Sequence, residues 1–111
     1  MEQQTTADAE IALMPKYLDS EKAGNLDKLI QIDLSGDGGG TWWLKIKDGK
    51  AETGRGAVEK PDLTLSAAAA DYVQILTGKL DGAVAFMSGK LRVKGDITLA
   101  VKFGTLFKRP A

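Results

Sequence analysis

The fold of this chain is decided near its middle, where residues 42–50 read WWLKIKDGK. Apart from Trp43, apolar and polar side chains alternate from residue 42 to residue 47. A period of two is typical of a strand that buries one face. Asp48 and Gly49 follow, and Asp-Gly between two alternating segments is the strongest short-range signal for a two-residue hairpin. The stretch therefore predicts two antiparallel strands joined by a tight turn.

The same alternation extends outward in both directions. Upstream, Ile30, Ile32 and Leu34 share one side of a strand and should face a core. Downstream, the segment after Gly49 is weakly hydrophobic, which is typical of a strand near a sheet edge. The strands expected besides the one at residues 42–47 cover residues 28–34, 50–54, 62–66 and 90–94.

Helical spacing occupies the rest of the chain. Residues 6–25 predict a helix, and Pro15 within it should kink the helix or mark a start or stop, because proline has no N–H donor. Two helices are expected around residues 72–76 and 84–87, with Asp81 as the cap of the second and Asp71 also expected to act as a cap. Residues 97–107 predict a last helix with a narrow polar stripe on an apolar cylinder, the reverse of an ordinary surface helix.

These elements predict an α+β fold in one domain that covers residues 1–111. Tight turns between the strands favour an antiparallel sheet. One face of that sheet carries Lys, Gln, Arg and Asp and should be solvated. The helices are then expected to cover the other face.

Composition narrows the possible functions. The 111 residues include 15 basic and 15 acidic side chains, no His and no Cys. No Ser-His-Asp triad, thiolate nucleophile or His and Cys metal site can form, so we expect no catalytic residue, no bound metal and no cofactor. Zero net charge argues against nucleic acid as a partner. The polar N-terminus does not resemble a secretory signal, and a cytoplasmic location is expected.

Several short motifs carry a family resemblance. Residues 76–80 read LTGKL, residues 85–91 read AFMSGKL and residues 94–96 read KGD. Together with the central hairpin and DLTLS at residues 62–66, they resemble the sterol carrier protein type two family, in order and spacing, over roughly residues 26–106. The length is most similar to its single-domain bacterial members.

The resemblance implies a five-stranded, mainly antiparallel sheet with helices on one face and a hydrophobic tunnel between the layers. It also implies binding and transfer of fatty acids, acyl-coenzyme A or sterol- or isoprenoid-like lipids, without chemistry. The expected partners are such a ligand, at most a transient membrane contact, and a possible homodimer. The expected ligand-binding residues are apolar or Gly positions of the last three helices and the turns beside them: Leu76, Leu80, Val84, Phe86, Met87, Leu99, Ala100, Phe103, Gly104, Leu106 and Phe107.

The residues alone leave alternatives open. These side chains could simply fill a core, since protein interiors normally close without voids. The chain could be an accessory or dimerisation module that fills its own tunnel, with Trp43 on the solvated face as a contact, or an enzyme acting on an acyl thioester. Gly104 stands where animal family members often carry Gln, and it could mark either a close helix contact or a pocket. Basic side chains at 79, 90, 92 and 94 could meet a phosphate or form a solvated strand face.

Overall fold

The computed structural model describes residues 6–107. Five helices and five strands follow one another in an order close to the expected one. The helices are α1 (Ala7–Tyr17), α2 (Ser20–Ala23), α3 (Ala69–Leu76), α4 (Gly82–Met87) and α5 (Ile97–Leu106). The strands are β1 (Lys28–Ser35), β2 (Gly40–Lys47), β3 (Lys50–Arg55), β4 (Leu63–Ala68) and β5 (Leu91–Gly95).

The strands form one five-stranded sheet in the order β3-β2-β1-β4-β5. The expected hairpin joins β2 to β3, and Lys47 pairs with Lys50 across it. Only β1 and β4 run parallel, while the other neighbouring pairs are antiparallel. The α+β class and the mainly antiparallel sheet are therefore confirmed, and β3 is an edge strand as its weak hydrophobicity indicated.

The N-terminal segment forms two helices, and the first ends close to Pro15, which is one of the alternatives predicted for this proline. The Thr6 hydroxyl caps α1 by accepting from the Ala9 amide at 3.1 Å, and the helix ends two residues after Pro15. Asp19 then starts α2 by accepting from the amides of Glu21 and Lys22. A new cap directly after a proline-weakened helix end explains the break.

One of the two expected caps is present, and Asp96 supplies a further one. The Asp81 carboxylate accepts from Ala83 N at 2.8 Å to start α4, and Asp96 accepts from Leu99 N at 3.0 Å to start α5. The expectation for Asp71 was wrong, because the N-cap of α3 is Ala68, without a side-chain bond, and Asp71 lies in the first turn.

The core lies between the sheet and the helices. The alternating residues of β1, β2 and β4 supply its floor, as the period of two predicted: Ile30, Ile32, Leu34, Trp42, Leu44, Ile46, Leu63 and Leu65 are all buried. The Trp42 indole donates to Asp8 Oδ1 of α1 at 2.9 Å, which ties the helical layer to the sheet. Within residues 6–107, no helix is long and apolar enough to cross a membrane.

Candidate functional site

A cavity of about 500 Å³ lies between the sheet and four of the helices. Its wall is built mainly from apolar side chains of β4, β5, α1, α3, α4 and α5. The sheet contributes Leu65 of β4 and Leu91 and Val93 of β5. The helical layer has thus left a space over one end of the sheet instead of closing on it.

The last helices bring five of the eleven expected ligand-binding residues to this wall. Leu76 of α3, Phe86 of α4 and Ala100 of α5 line it, together with Phe103 and Phe107. The rings of Phe103 and Phe107 contact each other, with their centroids 5.0 Å apart. Their role as ligand contacts stays a prediction, but their position is the expected one.

Five of the other six expected ligand-binding residues do not line the cavity, and the structure does not describe the surroundings of the sixth, Gly104. Leu99 and Leu106 are buried core residues that do not reach the cavity. Leu80, Val84 and Met87 lie outside its wall, and Val84 and Met87 are exposed. The surroundings of Gly104 are not among those that the structure describes, so its two interpretations stay open.

Sequence reasoning missed the part of the wall that comes from α1. Glu10, Met14 and Tyr17 line the cavity from this helix, facing Tyr72 and Ile75 of α3. A signal was available, because Glu10 lies one turn before Met14 on the apolar stripe of α1. A charged residue in an apolar stripe is a candidate for a polar group in a pocket.

Polar atoms are concentrated where α1 meets α3. Tyr72 is fully buried, and its hydroxyl donates to Met14 Sδ at 3.9 Å. Burial raises the pKa of Tyr72 well above its ordinary value, because the interior disfavours the phenolate. Glu10, only 3% exposed, lies one helical turn from Met14. This end of the cavity is polar, and Asp81 at the start of α4 is the other charged residue of the wall.

The cavity opens between α4 and α5. Phe86, Ile97 and Val101 belong to its wall and are 51%, 53% and 76% exposed. Among the described residues, all the exposed large hydrophobic side chains belong to these two helices, since Val84 and Met87 complete the set. An exposed apolar rim at a cavity mouth is typical of a site that meets hydrophobic ligands or surfaces.

Both ends of α5 are held in place. At its start, Asp96 pairs with Lys28 of β1, with Nζ and Oδ2 3.4 Å apart. The Leu99 amide and then this lysine hold the pKa of the Asp96 carboxyl below its usual range. At its end, the Leu106 carbonyl accepts from the Asp19 amide at 2.7 Å. The helix therefore forms a wall fixed at two points.

The basic cluster at residues 79–94 lies outside the cavity. Arg92 and Lys94 pair with Ser66 and Thr64 of β4 across the solvated face of the sheet. Lys79 and Lys90 are exposed and do not line the wall. The geometry supports the solvated-face interpretation for Arg92 and Lys94.

The structure is thus an α+β domain with a mainly apolar cavity between one five-stranded sheet and a helical layer. The sequence matches the family described as the SCP-2 sterol transfer family over residues 9–108, and the chain belongs to that family.

Curated proteins and solved structures are similar to this chain in sequence and in fold, respectively. The chain is 43% identical over 79 residues to hydroxysteroid dehydrogenase-like protein 2 of Rattus norvegicus, covering 70% of this chain and 15% of that protein. Its fold is similar to that of palmitated SCP2L2 from Aedes aegypti, with a TM-score of 0.77 at 20% identity over 95% of this chain and 96% of that one. It is also similar to part of the inverting sec-alkylsulfatase Pisa1 from Pseudomonas sp., with a TM-score of 0.78 at 24% identity over 89% of this chain and 16% of that one.

These matches cover very different fractions of the matched proteins. This chain spans about a fifth or less of the curated relatives, such as 15% of the rat protein and 21% of the Xenopus laevis one. It spans nearly all of the Aedes aegypti chain. The same fold therefore occurs alone and as one part of longer proteins.

Proposed function

We propose that this chain binds and carries lipids in the cavity between its sheet and its helices, as a single domain and without chemistry. The observation that supports this is a cavity of about 500 Å³ with a mainly apolar wall and an apolar mouth. Its volume is within the range of about 300–1,000 Å³ common for small-molecule sites. Membership of the SCP-2 sterol transfer family agrees with a lipid-binding or transfer role.

The energetics suit a carrier. Moving an acyl chain of about 16 carbons from water to an apolar cavity stabilises it by about 0.8 kcal/mol per CH₂, or on the order of 12 kcal/mol. The entropy lost when the acyl chain is ordered and its free motion ends reduces this gain in free energy by several kcal/mol. The remaining affinity is near the micromolar range, about 8 kcal/mol. A ligand held with that affinity binds and leaves again.

The cavity and the family support a class of ligands for this proposal. Fatty acids, acyl-coenzyme A and sterol- or isoprenoid-like lipids all carry an apolar body that such a wall can hold. The Aedes aegypti relative is described as palmitated, which supports a long acyl chain as one ligand here. We place the protein in the cytoplasm, with at most transient membrane contact through the mouth between α4 and α5.

A matched pair of variants on α4 tests the cavity. Phe86 lines the wall, whereas the next residue, Met87, is 85% exposed and does not. Delipidated protein is titrated with a pyrene-labelled alkyl probe, which unlabelled long-chain lipids should displace from one saturable site. Phe86→Asp should weaken binding at least tenfold, while Met87→Asp should leave it within twofold. Folded wild-type protein without a saturable signal up to tens of micromolar would contradict the proposal.

A second function is favoured by the exposed apolar surface of α4. Val84 and Met87 face solvent outside the cavity and could contact another domain or a second copy of the chain. This would make the chain an accessory or dimerisation module, consistent with its place inside longer relatives. Native mass spectrometry separates the two: a stable dimer without lipid selects the module, and a retained lipid selects the carrier.

A further inference from the structure

Two acidic residues belong to the cavity wall, exposed Asp81 at the start of α4 and buried Glu10 on α1. Among the described residues, Glu10 is the only charged side chain that is buried, at 3% exposure. It shares one face of α1 with Met14, one turn later, and Tyr17, which also line the cavity. Burying a carboxyl group in an apolar wall costs free energy unless the group makes hydrogen bonds.

A second polar group faces the same stripe of α1. The Tyr72 hydroxyl contacts Met14 and donates a hydrogen bond to its thioether sulfur, Sδ, at 3.9 Å. A thioether is a weak acceptor, so an oxygen atom would be a better partner for this hydroxyl. Because burial raises the pKa of Tyr72, the phenol keeps its proton at physiological pH. The cavity thus has a donor next to the turn that carries Glu10.

We propose that Glu10 and Tyr72 form a headgroup subsite that selects long-chain lipids ending in a hydroxyl over lipids ending in a carboxylate. The inference rests on the proposed function and narrows its ligand class. An alcohol both donates and accepts, so it can donate to the Glu10 carboxyl and accept from Tyr72. A carboxylate offers about four acceptor positions, which lets Glu10 take a ligand hydroxyl in addition to the partner it already has.

A fatty acid fits this subsite less well. Its carboxylate accepts from Tyr72 but has no proton to donate to Glu10. Two carboxylates brought together in a water-poor site also repel each other, because the low local dielectric strengthens the interaction between like charges. Of two ligands with the same chain, the alcohol should therefore bind more tightly.

The test compares 1-hexadecanol with palmitate as competitors of the pyrene-labelled alkyl probe on the full, delipidated chain. Wild-type protein should prefer hexadecanol at least tenfold. Glu10→Gln keeps the size and the acceptor of the side chain and removes its charge, and should bring the preference below threefold, mainly through tighter palmitate binding. Tyr72→Phe should weaken hexadecanol binding several-fold. Glu21→Gln, the same exchange at an exposed position of α2, should leave the preference unchanged.

The outcomes separate this inference from the proposed function. If the probe does not bind saturably, the carrier function fails and the inference fails with it. If the probe binds and wild-type protein takes palmitate as tightly as hexadecanol, only the inference is overturned. An unchanged preference in folded Glu10→Gln protein overturns it as well. If that variant does not fold, the wild-type ratio alone decides.

Discussion

The indole of Trp43 occupies the space beside Gly54, its cross-strand partner on the edge strand β3. A Cβ atom placed on Gly54 would lie 2.6 Å from Trp43 Cζ2 and 2.8 Å from Nε1. Real Cβ atoms do not approach that closely, so the glycine leaves room for the ring. The aromatic side chain covers a weak edge strand where a glycine contributes no packing of its own. Half-buried Trp43 thus has a role within its own sheet.

For this pair we expect that the effect of Gly54→Ala on the free energy of unfolding changes sign when Trp43 is replaced by alanine. Gly54→Ala should destabilise the wild-type protein by about 1 kcal/mol, because the indole must move away. In a Trp43→Ala background the same change should stabilise it by about 0.5 kcal/mol, since alanine is a better strand residue than glycine. Urea unfolding of the four proteins measures both values. Equal effects in the two backgrounds would mean that the ring and the glycine are independent.

Gly95 ends β5 in a conformation that other residues rarely adopt, with φ at 106°. A Cβ there would also lie 2.5 Å from the Asp62 carbonyl oxygen. Gly56 has a similar φ of 113° but no atom within 4 Å of its Cβ position. Gly95→Ala should therefore cost about 3 kcal/mol, from strain and overlap together, and Gly56→Ala about 1 kcal/mol from strain alone. Thermal unfolding compares them, and equal costs would contradict the close approach to Asp62.

Asp96 should make stability depend on pH. Its pKa is lowered in the folded protein, first by the Leu99 amide and then by Lys28. Its contribution is then fully present above the ordinary aspartate value of 3.8 and is lost as the pH falls through the lower folded value. Asp96→Asn should reduce the free energy of unfolding near neutral pH, and the difference from wild type should shrink in acid.

The cause of that pH dependence can be divided between the two partners of Asp96. Because the Leu99 amide is the larger cause, Lys28→Met should keep most of the acid-dependent difference. Urea unfolding of both variants between neutral and acid pH measures this. A loss of stability in Asp96→Asn that is the same at every pH would show that the carboxylate charge has no part in it.

The sheet was predictable because its signals are local. Alternation in β1 and β2 fixed which residues face the core, and Asp48-Gly49 fixed the register of the hairpin. The parallel pairing of β1 with β4 is different, because no local sequence signal indicates which strand pairs with Leu63–Ala68. That pairing depends on long-range packing, which one sequence does not display.

The cavity was predictable only in part, for a related reason. Leu99 and Ala100 are adjacent on α5, yet Leu99 enters the core and Ala100 lines the cavity. Periodicity identifies the apolar side of a helix, but it does not tell which apolar residues meet a neighbour and which meet a space. Glu10 was missed because its importance depends on α1 meeting α3, which are 58 residues apart at the Met14 and Tyr72 contact.

Met87 should matter for transfer but not for equilibrium binding. It is 85% exposed on α4, beside the cavity mouth, and residues 69–111 carry seven basic and three acidic side chains. Both features favour contact with an anionic lipid surface. Met87→Asp should slow transfer of the bound pyrene probe to phosphatidylcholine–phosphatidylserine vesicles several-fold, with the probe affinity unchanged. Ala12→Asp, at an exposed site on α1, should leave the rate unaltered, and equal slowing in both variants would argue against docking through α4.

Ala100 offers a direct test of whether the cavity is empty space that a ligand uses. It lines the wall from α5 and is half-buried, so a larger side chain there has volume to enter. In a closed core, Ala100→Leu would overpack and cost about 1–3 kcal/mol. Beside a cavity, stability should hold or rise, while the affinity for a long-chain ligand falls about tenfold, or 1.4 kcal/mol.

Ala70→Leu, at an exposed position of α3, serves as the control and should change neither quantity. Urea unfolding and displacement of the pyrene probe, measured on the same preparations, separate the two outcomes. A destabilised Ala100→Leu protein with full ligand affinity would place Ala100 in a packed contact and the ligand elsewhere.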